Sequence, residues 1–359
     1  MYVITNRAVI DKKEGLAQFG PKPNDQGPNE LRLADVQQKG KKWIVDFLED
    51  ELSQTEASAL IKKFNLPLDP KAQYYASLKA ACDIAERARK SKSHILFFVH
   101  GYNNNLEDVL SCAMEMSKRY GIEVLPFSWP ANGGGISGTA SYKSDKRDAR
   151  ASTGALERAL LAIHKYLDLI TSARRAQLYD IAEKENETNP EARDALYSKL
   201  LAKECPFTLN ALFHSMGNYL FKQMLKSNIN EGADLTFDNV ILAAADANNQ
   251  DHDLWVERVR FRKRCFVTIN ENDFALRASR AKAGSDQLAR LGHYLRNLNA
   301  ANAHYINFTD SAWVSSSHSY FCDDSMKNQK VHDFFTEAFS GGTPESKLRF
   351  HVEGNWYGI

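Results

Sequence analysis

A serine near the middle of the chain lies between an apolar segment and a helix-forming segment. The apolar segment covers residues 208–213, and Ser215 and Gly217 follow it. This pattern predicts a strand that turns sharply into a helix and exposes the serine hydroxyl, the arrangement called a nucleophile elbow. The usual motif is Gly-x-Ser-x-Gly, and Phe213 occupies the position of its first glycine. A serine that only caps the helix is the alternative interpretation.

An acid and a base follow Ser215 in the chain order that such a nucleophile needs. Asp273 and His318 each come after an apolar segment, at the expected C-terminal end of a strand. A histidine can take the proton of the serine hydroxyl, and a carboxylate can orient the imidazole. We therefore predict Ser215 as nucleophile, His318 as general base and Asp273 as the orienting acid. Asp246, after a different apolar segment, is the alternative acid.

Two backbone N–H groups are expected to form an oxyanion hole. The apolar run Ile95–Val99 is typical of a strand buried on both faces, and His100 and Tyr102 follow it. In this arrangement one donor comes from the loop after that strand, here Tyr102. The other comes from the residue after the nucleophile, here Met216. We expect His100 to brace the loop rather than to take part in acid–base chemistry.

Other residues are candidates for contacts with a substrate. Trp129, Tyr320 and the glycine-rich loop at 131–141 could line an acyl or alcohol pocket, with His100 and Asp246 as further candidates. Plain packing in the core is the alternative interpretation of each aromatic side chain.

The segments that carry these residues alternate between strand and helix. We predict strands at 95–99, 122–128, 208–213, 239–245, 264–270 and 304–309, and helices at 105–120, 145–171, 217–228 and 328–339. This alternation predicts an α/β fold with a mostly parallel central sheet and helices on both faces. We treat 1–359 as one domain, in which 1–90 supplies N-terminal strands and helices. Residues 173–204 form an inserted helical hairpin, either a surface helix pair, a lid or an oligomerisation element.

The ordered set of motifs resembles a bacterial α/β-hydrolase family known as a domain of unknown function and related to serine esterases and lipases. The resemblance implies the α/β-hydrolase fold, with Ser215, Asp273 and His318 as the triad and Tyr102 and Met216 at the oxyanion hole. The family motif usually has a small residue where Phe213 stands. The resemblance rests on these positions: Ile4 to Arg7, Val99 to Asn103, Phe127 to Pro130, Tyr142, Asp145, Ala149, Ser152, His214 to Asn218, Asn272 to Leu276, Arg290 to Gly292 and His318 to Phe321.

The composition excludes some functions. A formal net charge of +1 lacks the strongly basic character of a nucleic-acid-binding domain. No apolar run reaches the roughly 18 residues of a membrane span. The glycines of 133–138 do not join a strand directly to a helix, and no histidine or cysteine motif suggests a metal, so we expect neither cofactor nor metal.

The number and spacing of the cysteines indicate the cellular compartment of the protein. The five cysteines lack the spacing of a metal site or a disulfide framework, and we expect reduced thiols in a cytoplasmic protein. They are Cys82, Cys112, Cys205, Cys265 and Cys322.

The chemistry that these residues favour is ester hydrolysis through an acyl-enzyme on Ser215, with a small-molecule acyl substrate. Acyl transfer, amide cleavage or thioester cleavage could use the same triad. A non-catalytic binding or interaction module with this fold is the alternative from another class. The sequence does not determine the oligomeric state.

Overall fold

The computed structural model describes the backbone of residues 1–102, 106–131, 138–204, 207–227, 236–280 and 288–359, and the side chains of the same ranges apart from 138–143, 204 and 227. The strands are β1 Tyr2–Thr5, β2 Arg7–Val9, β3 Phe19–Pro23, β4 Arg32–Lys39, β5 Lys42–Phe47, β6 Ile95–Val99, β7 Glu123–Ser128, β8 Leu209–His214, β9 Asn239–Ala243, β10 Arg264–Ile269, β11 Ala303–Asn307, β12 Arg349–His351 and β13 Trp356–Gly358. The helices are α1 Gln54–Phe64, α2 Ala76–Ser91, α3 Leu106–Tyr120, α4 Gly138–Ala151, α5 Thr153–Glu185, α6 Pro190–Glu204, α7 Met216–Ser227, α8 Asp253–Val256, α9 Phe274–Arg280 and α10 Gln329–Phe339.

One large sheet organises the described part of the chain. Its strand order is β12-β13-β11-β10-β9-β8-β6-β7-β1-β4-β5. The strands from β13 to β1 in this order pair in parallel, and antiparallel strands lie at both edges. This architecture confirms the predicted α/β fold with a mostly parallel central sheet.

Both faces of the sheet are covered, which explains why its central strands are mostly apolar. Along β6, Phe97 belongs to the core beneath α2, α5 and α7, whereas its neighbour Phe98 belongs to the core beneath α3 and α10. Successive strand side chains point to opposite faces, so a strand covered on both sides has apolar residues on both of its faces. The predicted helices on both faces are therefore confirmed.

The helical region before β8 differs from the prediction. The expected helix at 145–171 is replaced by α4 and α5, which meet near Ser152. The expected hairpin at 173–204 is present, and its first arm is the end of α5, which continues without interruption to Glu185. The second arm is α6, and Tyr179 meets Tyr197 across the two helices at 5.5 Å between ring centroids.

The expectation of five reduced thiols is wrong for two of them. Cys112 on α3 and Cys322, four residues after His318, form a disulfide with a Cα–Cα distance of 5.8 Å. Cys82 and Cys265 are free and buried, and Cys205 lies outside the described residues. Sequence spacing could not reveal the bond, because the fold brings together positions 210 residues apart.

Candidate active site

The backbone at Ser215 has the conformation of a nucleophile elbow. Its φ angle is 52°, in the left-handed region that residues with a side chain rarely adopt. Three backbone hydrogen bonds hold this turn. The N–H of Ser215 donates to the carbonyl of Ala243 at 3.0 Å, and its own carbonyl accepts from the N–H groups of Asn218 and Asp246 at 3.0 and 3.1 Å. Strained backbone of this kind is concentrated at functional sites.

Two glycines allow the elbow to lie close to the end of β6. A Cβ atom on Gly217 would lie 2.8 Å from the carbonyl oxygens of both Val99 and His100. A Cβ atom on Gly101 would lie 2.5 Å from the Cβ of Ser215. Gly217 therefore allows the elbow to approach the end of β6 closely, and Gly101 places the start of the loop after β6 directly against Ser215.

Phe213 is accommodated in the core and leaves the elbow intact. Its ring is fully buried and stacks on Phe221 of α7, with centroids 3.9 Å apart. The edge of Phe97 on β6 completes the contact at 6.5 Å. The amide of Asn218 donates to the carbonyl of Phe213 at 2.7 Å, which ties the strand end to α7. The bulky residue therefore packs between β8 and α7, where the usual motif has a small one.

His318 and Asp273 lie in direct contact. Nδ1 of His318 bonds Oδ2 of Asp273 at 2.6 Å, and the Asp273 side chain has no solvent exposure. The other carboxylate oxygen, Oδ1, accepts the backbone N–H of Leu276 at 2.9 Å, in the first turn of α9. Two donors therefore fix the carboxylate, and the carboxylate fixes the orientation of the imidazole.

Asn270 supports the loop that carries His318. Its side-chain amide donates to the carbonyls of Ser315 and Ser317, each at 3.0 Å. Asn270 directly follows β10 and comes shortly before Asp273, so the same strand end positions both Asp273 and the loop of His318. Sequence reasoning missed this role, although the place of Asn270 after a buried strand is a usable signal.

His214 is a second residue that sequence reasoning missed. Its Nε2 lies 3.0 Å from the backbone carbonyl of His318, and the two imidazole rings are 4.6 Å apart between centroids. A carbonyl can only accept, so Nε2 carries the proton. Burial, and after it the neighbouring His318, hold the pKa of His214 well below its ordinary value. Its signal in the sequence is its position, immediately before the nucleophile.

The two residues predicted for the oxyanion hole, Met216 and Tyr102, are connected to Ser215 in different ways. Met216 follows it in the chain, and Tyr102 follows Gly101, which packs against it. Met216 is the first residue of α7, so its N–H has no acceptor within the helix and points from a helix N-terminus, which favours negative charge. Tyr102 is half-buried. Residues 103–105, which continue this loop, lie outside the described part.

His100 and Trp129 form a buried stack at the start of the loop after β6. Their rings are nearly parallel, with centroids 5.4 Å apart, and the indole Nε1 donates to the His100 carbonyl at 2.9 Å. Nδ1 of His100 lies 2.9 Å from the carbonyl of Gly101. Burial, and after it the charge of Arg7, lower the pKa of His100 to about 3, so the ring is neutral. This arrangement fits a bracing role.

Asp246 is engaged away from His318. Its Oδ1 lies 3.0 Å from Nε of Arg290, and both side chains are almost completely buried. The same oxygen accepts from the hydroxyl of Ser279 at 2.9 Å. Of the two acids considered from the sequence, the structure brings only Asp273 to His318.

Tyr320 packs in the core, on the α10 side of the sheet. Its fully buried ring stacks on Phe308 at 4.9 Å between centroids, and its hydroxyl lies 2.6 Å from Oγ1 of Thr268. Burial raises its pKa. The glycine-rich loop proposed to share a pocket with it falls mostly on residues 132–137, outside the described part.

A cavity of about 480 Å³ lies apart from these residues, between α2, α5 and the sheet. Its walls include Ile4, Leu33, Ala80 and Ala159, and the triad candidates do not line it. Within the described ranges, no group of three or more histidine, cysteine, aspartate or glutamate side chains is placed to hold a metal ion.

Comparison with models of known protein families identifies the family of the chain. A family model described as an alpha/beta hydrolase of unknown function (DUF900) matches residues 77–171 and 170–323, more than half of the sequence. The chain belongs to this family. The match includes Ser215, Asp273 and His318, and it confirms the resemblance that the motifs indicated.

Comparisons of this alpha/beta hydrolase family member with curated proteins and with solved structures gave no match. Among the helices that the structure describes, none has the length and apolar character needed to cross a membrane.

Proposed function

We propose that the chain is a serine hydrolase that cleaves carboxylic esters of small molecules through an acyl-enzyme on Ser215. The observation that carries the proposal is the 2.6 Å contact between His318 Nδ1 and the buried Asp273 carboxylate, in a loop whose His318 carbonyl bonds His214, the residue before a serine with elbow backbone. A serine that only capped a helix would have no need of a histidine and a carboxylate paired next to it.

The contact with Asp273 determines which nitrogen of His318 acts as the base. An ionised carboxylate only accepts hydrogen bonds, so Nδ1 carries the proton and Nε2 keeps a free lone pair. Nε2 is then able to take the hydroxyl proton of Ser215 as Oγ attacks the acyl carbonyl. Asp273 stabilises the imidazolium that results.

The same residues carry out the remaining steps of the catalytic cycle. The tetrahedral intermediate places its oxyanion at the N–H groups of Tyr102 and Met216. Its collapse breaks the ester C–O bond, and Nε2–H of His318 protonates the leaving alkoxide to give the alcohol. Water then loses a proton to Nε2 and attacks the acyl-enzyme, which releases the acid and restores the Ser215 hydroxyl. Loss of one oxyanion donor typically lowers kcat by about 10²–10³.

Two further features of the proposed hydrolase stay predictions. They are a lid function of the helical segment 173–204 and the cytoplasmic location. The Cys112–Cys322 bond argues against the cytoplasmic location, because disulfides persist mainly in oxidising compartments.

The proposal is tested by labelling wild type and Ser215→Ala with a fluorophosphonate probe while assaying short p-nitrophenyl esters. Wild type should label and turn over, and Ser215→Ala should do neither. The matched control is Ser325→Ala, which removes another buried hydroxyl that has no hydrogen-bond partner in the described part of the chain. That variant should behave as wild type. Folded wild type that neither labels nor hydrolyses would favour the binding-module alternative.

A further inference from the structure

The strand that ends in the nucleophile is joined directly to the loop that carries the base. His214 is the last residue of β8, and its backbone is fixed by pairing with Ala243 of β9. Its side chain is almost fully buried on the opposite face from Phe213. There it reaches the backbone carbonyl of His318 at 3.0 Å.

The His318 loop needs such anchors, because it has no regular helix or strand of its own. Residues 308–323 connect β11 to a short 3₁₀ turn at Asp324–Lys327. Asn270 holds the loop before His318, and the Cys112–Cys322 bond holds it after. Neither of these anchors binds the His318 carbonyl or starts from the strand of Ser215.

We propose that His214 is a positioning residue, which fixes the distance between Ser215 and His318 by binding the His318 carbonyl from the position next to the nucleophile. This inference rests on the proposed function, which assigns Ser215 and His318 as the reacting groups that His214 positions. His214 is adjacent to Ser215 through one peptide bond and to His318 through one hydrogen bond, so a single side chain links both reacting groups.

The surroundings keep this link intact. The ring of Phe321 packs against His214 at 5.0 Å between centroids, in an edge-on contact that restricts rotation of the imidazole. The ring stays neutral because burial, and after it His318, lower its pKa. A neutral His214 keeps its Nε2 proton on the carbonyl and adds no charge beside the imidazolium that forms on His318.

Two variants separate the hydrogen bond from the volume of the ring. His214→Phe keeps an aromatic ring but removes the donor, whereas His214→Gln can present an amide N–H near the place of Nε2. A shift of about 1 Å in a reacting group costs up to roughly 10²-fold, so we expect His214→Phe to lower kcat by about 10- to 100-fold with little change in KM. His214→Gln should recover most of the loss. His214→Asn, whose amide is too short to reach, replaces the phenylalanine variant if that one does not fold.

The control is His252→Phe, which also removes a buried histidine. Its ring nitrogens lie against the carbonyl of Asn249 and the hydroxyl of Tyr305, not against the triad. We expect it to change stability without the selective loss of kcat. A His214→Phe enzyme with the kcat of wild type would overturn the proposal, as would a loss that His252→Phe reproduces.

Amide hydrogen exchange keeps this test separate from the proposed function. Residues 315–322 should exchange faster in His214→Phe than in wild type, and His214→Gln should restore protection. If wild type lacks esterase activity, the proposed function fails while exchange still decides whether His214 holds the loop. Unchanged exchange in His214→Phe would overturn the inference even in an active enzyme.

Discussion

Asp273→Asn tests the candidate triad most directly, because each oxygen of the carboxylate has its own donor. Oδ2 accepts from Nδ1 of His318 at 2.6 Å, and Oδ1 accepts from the backbone N–H of Leu276 at 2.9 Å. An asparagine has one oxygen for these two donors, and its NH₂ group must face one of them.

Either orientation of the new amide impairs the base. With its oxygen toward Leu276, the NH₂ group faces Nδ1 of His318, the ring proton moves to Nε2, and Nε2 can no longer accept the proton of Ser215. With its oxygen toward His318, two buried donors face each other at a cost of about 1–3 kcal/mol. Both orientations also lose the negative charge beside the imidazolium. We therefore expect kcat to fall by roughly 10³–10⁴, about 4–5.5 kcal/mol of transition-state stabilisation.

The assay is the initial rate of p-nitrophenyl ester hydrolysis at saturating substrate, per mole of folded protein as judged by circular dichroism. The matched control is Asp246→Asn. It changes a carboxylate that pairs with Arg290 and not with His318. Breaking that buried pair should cost about 3–5 kcal/mol of stability, with kcat nearly unchanged in the folded fraction. A kcat for Asp273→Asn within tenfold of wild type, or a larger loss in Asp246→Asn, would refute the reasoning.

Two further predictions concern the elbow and the pH dependence of stability. Gly217→Ala would bring a methyl group 2.8 Å from two backbone carbonyls, and we expect it to lower the free energy of unfolding by about 1–3 kcal/mol, measured in urea, and to slow fluorophosphonate labelling. Unchanged stability and labelling would contradict the close approach. The native pKa of His100 is about 3, well below the value of about 6.5 for an unfolded histidine, so the unfolded chain binds protons first as the pH falls. The free energy of unfolding should therefore be constant with respect to this group above about pH 7. Between about pH 6.5 and 3 it should fall by up to about 1.4 kcal/mol per pH unit, and urea titrations should show a shallower fall in His100→Phe.

The central part of the fold was predictable because its signals are local. The mostly apolar segments of β6, β8 and β9 indicate strands covered on both faces, and the structure has all three. Boundaries were less accurate, as shown by the division of one expected helix into α4 and α5. The short strands β12 and β13 at one end of the sheet gave little signal, since both are partly exposed and only three residues long.

The candidate site was predictable only where chain order and strand ends were informative. These signals gave Ser215, Asp273 and His318 as candidates, whose catalytic roles remain a proposal. They favoured Asp273 over Asp246, but both acids follow buried strands, and only the fold shows which one reaches His318. The roles of His214 and Asn270 depend on backbone carbonyls, which every residue possesses. No residue type therefore marks those contacts in the sequence.

The disulfide has a consequence for the covalent connectivity of the molecule. The bond joins Cys112 to Cys322, and Ser215, Asp273 and His318 all lie between these two positions. The polypeptide between them is thus a closed ring that contains the whole candidate triad. A single backbone cut within that ring would open it without releasing a fragment, and both halves of the site would stay on one molecule until the bond was reduced.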